Sequence, residues 1–147
     1  MPQSFPKWDE LPEIDLYLDQ VLLYVNQVAA FVNADKGLTS SMINNYVKHG
    51  LVDKPIKKKY NRRQLARLIA ITTFKPVFSI QEVSHVLSLL TSDGKSQDCY
   101  DNFVACMNGD TDRDIPEIII SACRTLKLYQ YTHQLALDLQ GGQNHEH

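Results

Sequence analysis

Strand signals are nearly missing from this chain: no alternating run of β-branched residues bounded by turns occurs, whereas apolar residues recur at helical spacing. An all-α fold with room for one short β-hairpin is expected. Cysteine is scarce too. Three cysteines with no Cys-x-x-Cys pair make no disulfide framework and suit a reducing compartment. Cys99, Cys106 and Cys123 lack the close spacing and neighbouring histidines of a soft-metal site, so they read as buried structural thiols. The six glycines form no phosphate-cradling loop, no nucleophile elbow or His-Glu-x-x-His occurs, and His49, His85 and His133 are scattered. Asp110-Thr-Asp-Arg-Asp114 opens like a calcium loop, but Ile115 stands where the sharp-turn glycine belongs and Ser121 where the bidentate glutamate belongs. Neither catalysis nor a cofactor or metal is expected. No run approaches the roughly 18 apolar residues of a membrane span, and Met1 to Trp8 lacks a charged-then-apolar leader pattern, so a cytoplasmic location off the membrane is expected.

What the chain does have is enough apolar material for a core and a segregated charge. With 147 residues, 44% hydrophobic, it has the length of one domain plus an appendage. Its formal net charge of -2 conceals three blocks. Residues 1–35 carry six acids against Lys7, residues 36–75 carry ten bases against Asp53, and residues 76–147 carry ten acids against four bases. A basic block between acidic flanks meets an anionic partner locally without making the whole surface cationic.

Periodicity places six helices. The first, about Asp15 to Asn33, carries two adjacent apolar stripes, one through Tyr17, Val21, Tyr24 and Val28 and one through Leu18, Leu22, Val25 and Ala29, which predicts a central helix packed on two sides. Asp35-Lys-Gly37-Leu38 is a turn. Thr39 caps a second helix over about Ser40 to His49, ended by Gly50, with Met42, Ile43, Tyr46 and Val47 inward and Ser41, Asn44, Asn45 and Lys48 as an outer polar strip. Leu51 to Tyr60 reads as a loop or small ribbon, and Asn61 caps a third helix from Arg62 to Phe74, with Leu65, Leu68, Ile69 and Thr72 buried. Ser79 and Glu82 form a capping box for a fourth helix, with Ile80, Val83, Val86, Leu87 and Leu90 inward. A fifth covers about Ser96 to Asn108. The sixth starts at Asp114, with Pro116 in its first turn and Glu117 completing a second capping box, and reaches about Leu139. It has more apolar surface than so small a chain covers, so dimerisation is its expected use. The domains are 10–92 and 93–140, with 141–147 as a flexible tail.

A helix, a turn, a helix with a polar outer strip and a basic connector together describe a helix-turn-helix with a wing. Thr39-Ser-Ser-Met-Ile-Asn-Asn-Tyr-Val-Lys-His-Gly-Leu51, Lys58-Lys-Tyr60, Leu65, Leu68, Ile71 and Phe78-Ser-Ile-Gln-Glu-Val-Ser-His-Val-Leu87 resemble the winged helix-turn-helix of the mercury-resistance regulator superfamily (MerR-like). Leu11-Pro-Glu-Ile-Asp-Leu-Tyr-Leu-Asp-Gln-Val21, Met42-Ile-Asn-Asn-Tyr46 and Lys57-Lys-Lys-Tyr-Asn-Arg62 are more closely similar to the bacterial domain of unknown function family 1836, over roughly residues 5–110. The resemblance implies DNA binding more than ligand sensing. Asn44-Asn45 stand where the sensing regulators place an arginine before the aromatic, and their effector-binding cysteines have no counterpart here.

Within that reading Asn44 and Asn45 are the base-reading candidates, because an asparagine amide matches the N6/N7 edge of adenine. Thr39, Ser40 and Ser41 at a helix N-terminus offer hydroxyls and backbone N–H groups to a phosphate. Lys48, the wing lysines Lys54, Lys57, Lys58 and Lys59, and Arg62, Arg63 and Arg67 supply the charge. Bases at a helix N-terminus oppose its dipole, so Arg62 and Arg63 point to a use beyond helix stability. The expected function is sequence-specific regulation of transcription by a homodimer on double-stranded DNA. The alternative is an adaptor that docks an acidic partner protein on the same basic face, and a third option adds a small apolar ligand among the C-terminal helices.

Overall fold

The computed structural model describes residues 4–30, 32, 37–110 and 112–145. Among the described residues six α-helices follow one another: α1 (Leu18–Ala29), α2 (Ser40–Lys48), α3 (Arg62–Phe74), α4 (Ile80–Leu90), α5 (Ser96–Asn108) and α6 (Glu117–His145). Two short strands, β1 (Leu16–Tyr17) and β2 (Lys59–Tyr60), pair antiparallel, Leu16 with Tyr60 and Tyr17 with Lys59. The fold is therefore mostly α-helical with a minor β element. Among the described residues no helix is long and apolar enough to cross a membrane.

The core is built around α3 rather than α1. Gln64, Leu65 and Ala66, then Leu68 through Phe74, are buried, so α3 meets neighbours on nearly all sides. Its small residues Ala66, Ala70, Thr72 and Thr73 make this close approach sterically feasible, and the Thr73 hydroxyl donates to Ile69 O at 2.7 Å, satisfying its own buried polar group. Helix α1 buries only Val21, Val25 and Ala29 against it and leaves Leu23 71% exposed. Leu23 lies outside the two predicted stripes, and Leu18, Leu22, Tyr24 and Val28 pack against the core beside Val21 and Val25, so α1 is packed on both stripes while the most deeply buried helix is α3.

Helix starts followed their caps where the cap chemistry was strong. Thr39 Oγ1 accepts from Met42 N at 3.2 Å, Asn61 and Gln64 form a reciprocal capping box, and so do Ser79 and Glu82. Two boundaries differ. The chain before α1 is drawn into β1, so α1 starts at Leu18, with Gln20 Oε1 accepting from Tyr17 N at 2.9 Å. Helix α6 begins at Glu117, with Pro116 O accepting from Ile119 N and Ile120 N, so no box forms at Asp114. It runs on through Gly141 and Gly142 to His145, past the expected end at Leu139; of the expected tail, Glu146 and His147 lie outside the described residues. Phe31, Asn33, Asp35 and Lys36, in the expected helix end and turn, also lie outside them.

The N-terminal segment straps α5. Phe5 is 2% exposed against Phe103, its N–H donates to Asn108 Oδ1 at 2.8 Å, and Tyr100 Oη donates to Pro6 O at 2.8 Å. One continuous apolar cluster runs from Phe5 through Leu68 and Phe103 to Leu126, with no break in it at residue 92. Beyond Leu126, Lys127 and Gln130 still reach the rest of the fold, donating to Cys106 O and Val32 O, and residues 131–140 of α6 are all exposed.

Among the described residues, the Tyr46 hydroxyl of α2 is buried with no hydrogen-bond partner, and burial pushes its phenol above the ordinary pKa. An orphaned buried hydroxyl costs about 1–3 kcal/mol, so Tyr46→Phe is expected to keep the fold and raise the unfolding free energy by about 1 kcal/mol in urea titrations. A comparable loss of stability would show that the hydroxyl has a partner.

Candidate nucleic-acid interface

Three polar side chains set the pose of α2, and none of them is on α2. At its entrance Asn26 of α1 clips the chain, Oδ1 accepting from Leu38 N at 2.7 Å and Nδ2 donating to Leu38 O at 2.9 Å. Gly37 leaves room for this clip, because a Cβ at that position would meet Asn26 Oδ1 at 2.8 Å and push the amide aside. At its exit Gly50 turns the chain with φ +72°, and Arg67 Nε donates to Leu51 O at 2.7 Å. Gln64 Nε2 then donates to Asp53 O and Lys54 O, both at 2.9 Å, which fixes the connector to α3.

Held in this way, α2 buries Ile43 and Tyr46 and presents Ser40, Ser41, Asn44, Asn45 and Lys48 to solvent. The polar strip read from spacing is thus an exposed face. Thr39 is exposed as well, its hydroxyl occupied as the cap of the helix.

The connector closes in a two-residue hairpin. Ile56 and Lys59 exchange both backbone hydrogen bonds at 3.0 Å, leaving Lys57 (φ 52°) and Lys58 (φ 69°) as the two central residues. Both lie in the left-handed region, the geometry of a type I′ turn, which favours Asn and Gly because a side chain there crowds the backbone. Two adjacent lysines at this tip therefore carry strain, and both are exposed, as is Lys54 three residues before them. Lys59 faces the other way, its Nζ 5.1 Å from the ring centre of Tyr17. Tyr60 is buried at the base of the hairpin.

The arginines of α3 divide. Arg63 is exposed. Arg62 turns toward the N-terminal segment, Nη2 donating to Leu11 O at 3.1 Å, with its Nε buried. Arg67 donates to Leu51 O, to Ser84 O and Oγ, and to Ser88 Oγ. Of the three candidates, Arg63 is exposed, whereas Arg62 and Arg67 donate to backbone carbonyls within the fold. Lys36, in the same basic block, lies outside the described residues.

Two cavities flank α4. One of about 280 Å³ lies between the end of α2, α3, α4 and α5, and the other, about 200 Å³ and almost wholly apolar, is lined by Phe74, Phe78, Val86 and Leu90 with Ile119 and Ala122 of α6. Helix α4 buries only Val83 and Ser84; Val86, Leu87 and Leu90, expected inside, line these cavities and are partly exposed, as is Ile80. Burial pushes the Cys99 thiol up to about 11 and the Cys123 thiol up to about 12, so both are neutral packing groups at physiological pH. Among the described residues no three acidic, histidine or cysteine side chains gather as a metal site.

Residues 6–103 match the family described as Domain of unknown function (DUF1836). No curated protein and no solved structure matches the chain.

Relieving the strain at the hairpin tip separates its backbone cost from any charge it supplies. The double substitution Lys57→Asn, Lys58→Gly is expected to stabilise the chain by about 1 kcal/mol in chemical denaturation. No gain would mean that the lysines sit there without strain.

Proposed function

The chain belongs to the DUF1836 family, and from that premise we propose that it is a DNA-binding regulator whose α1, α2 and lysine hairpin act as a winged helix-turn-helix. The observation that carries this reading is the pairing of an uncharged, hydrogen-bonding helix face with a strained cationic tip in one short stretch of chain. The face contains Asn44 and Asn45, exposed on a helix fixed at both ends, as base-edge readout requires. On this reading the exposed Lys57 and Lys58, with Lys54, supply positive charge to the phosphate backbone flanking the groove. Ser40, Ser41 and the N-terminus of α2 add neutral phosphate donors, Lys48 and Arg63 add charge, and Lys59 is partly engaged with Tyr17.

A second copy completes the reading. On the exposed half of α6, Leu128, Tyr131, Leu135 and Leu139 fall on one narrow face, each more than 40% exposed. Residues 128–142 contain one acid, Asp138, and no lysine or arginine, so two copies of this face meet without like-charge repulsion. A dimer would set two α2 helices on successive major grooves, about 34 Å apart.

Selection of genomic fragments followed by titration tests the proposal. With about six phosphate contacts per dimer, affinity is expected to fall by roughly 10³ between 50 and 200 mM salt. Replacing Lys57 and Lys58 by Ala should weaken all duplexes alike, whereas Asn45→Ala should chiefly erase the preference for the selected site. Undetectable or salt-insensitive duplex binding would reject the reading in favour of docking to an acidic protein. For the dimer, Leu128→Glu with Leu135→Glu is expected to give a monomer in sedimentation with an unchanged melting point; a persistent dimer places the interface elsewhere.

A further inference from the structure

The larger cavity contains a guanidinium without an acid to pair with it. Arg67 lines the 280 Å³ space between the end of α2, α3, α4 and α5. Its Nε and Nη2 donate to neutral oxygens of Leu51, Ser84 and Ser88, and its Nη1 makes no hydrogen bond among the described residues. The ion pair described in the chain, Arg113 with Asp98, is elsewhere. Asp53 also lines the cavity and its charge reaches Arg67, but no carboxylate oxygen of it comes within pairing distance among the described ion pairs. Burial works against the Arg67 charge more than the nearby Asp53 supports it. A guanidinium cannot shed its proton in a protein, so this charge stays, only partly compensated.

The rest of the lining is divided by chemistry. Arg63, Gln64 and Ser96 add polar groups, while Leu87, Tyr100 and Phe103 offer apolar and aromatic surface. We propose that this cavity binds a small organic acid, its carboxylate paired with Nη1 of Arg67 and its apolar body against Leu87, Tyr100 and Phe103. A phosphodiester has no use for the apolar wall. Asp53 at the same site disfavours a second negative charge, which selects a monoanion. The volume lies just below the usual small-molecule range and limits the ligand to about ten to fifteen non-hydrogen atoms. The site does not depend on DNA binding, and either can fail without the other.

The test is an NMR titration of the full chain with benzoate, phenylacetate and octanoate, each to about 10 mM, beside neutral benzamide and inorganic phosphate. At least one acid is expected to shift the backbone amides of Gly50, Ser88 and Ser96 saturably, with benzamide at least about tenfold weaker, the factor a charge-assisted hydrogen bond supplies. Arg67→Lys keeps the charge but loses the fork, and should weaken the acid about tenfold. Since Arg67 also fastens three segments, Ser96→Leu serves as the second variant: it leaves those bonds in place, narrows the cavity and should abolish saturation. The proposal is overturned if no acid saturates, if benzamide binds equally well, if shifts centre on Lys57 and Lys58, or if Ser96→Leu binds unchanged.

Discussion

One guanidinium holds together three segments that would otherwise touch only through side chains. From the middle of α3, Arg67 reaches the carbonyl at the exit of α2 and the backbone and hydroxyls of α4. These are charge-assisted bonds, worth about twice a neutral one, and they join segments that sequence distance leaves free to move independently. The orientation of α2 relative to the core, and so the direction of its polar strip, depends on this group together with the Asn26 clip at the other end. Helix α4 depends on it more, having little apolar burial of its own and a cavity on each flank.

The interface illustrates how a folded chain allots similar residues to different tasks. Arg62, Arg63 and Arg67 occupy one helix within two turns, yet one faces solvent and two are hydrogen-bonded to backbone carbonyls. The wing lysines divide likewise, with Lys57 and Lys58 held outward by a left-handed backbone and Lys59 laid over an aromatic ring. Count of charge along the chain is therefore a poor guide to charge available at the surface.

Local signals were legible in the sequence, and tertiary ones were not. The capped helices α2, α3 and α4 began where Thr39, Asn61 and Ser79 said they would, because capping is a contest between neighbours three residues apart. The exposed strip on α2 followed from spacing for the same reason. That α3 is the most deeply buried helix was missed, since the stripes of leucines and valines on α1 show packing on two sides and not which helix is most enclosed; the alanines and threonines of α3 were the better signal of close packing. The β1–β2 pairing joins residues more than forty apart in sequence, so the ribbon was legible at Leu51 to Tyr60 but its partner strand before α1 was not. The inward turn of Arg62 and Arg67 was hidden because arginine has the same polarity whether it meets a carbonyl or water. The hairpin tip was hidden because lysine is not a turn residue, although Asn61-x-x-Gln64 just after it could have marked where the connector is fastened.

Helix α6 leaves the core partway along its 29 residues, and that makes it a lever. Its last fully buried side chain, Leu126, acts as a fulcrum, and about 30 Å of rigid rod extends beyond it. A tilt of about 10° at the fulcrum moves the far end by about 5 Å, close to one helical pitch. Ile119 and Ala122, at the root of that rod, form one wall of the apolar cavity beside α4. By that geometry, a change of volume at the wall that tilted the rod would be read at its far end as a larger displacement.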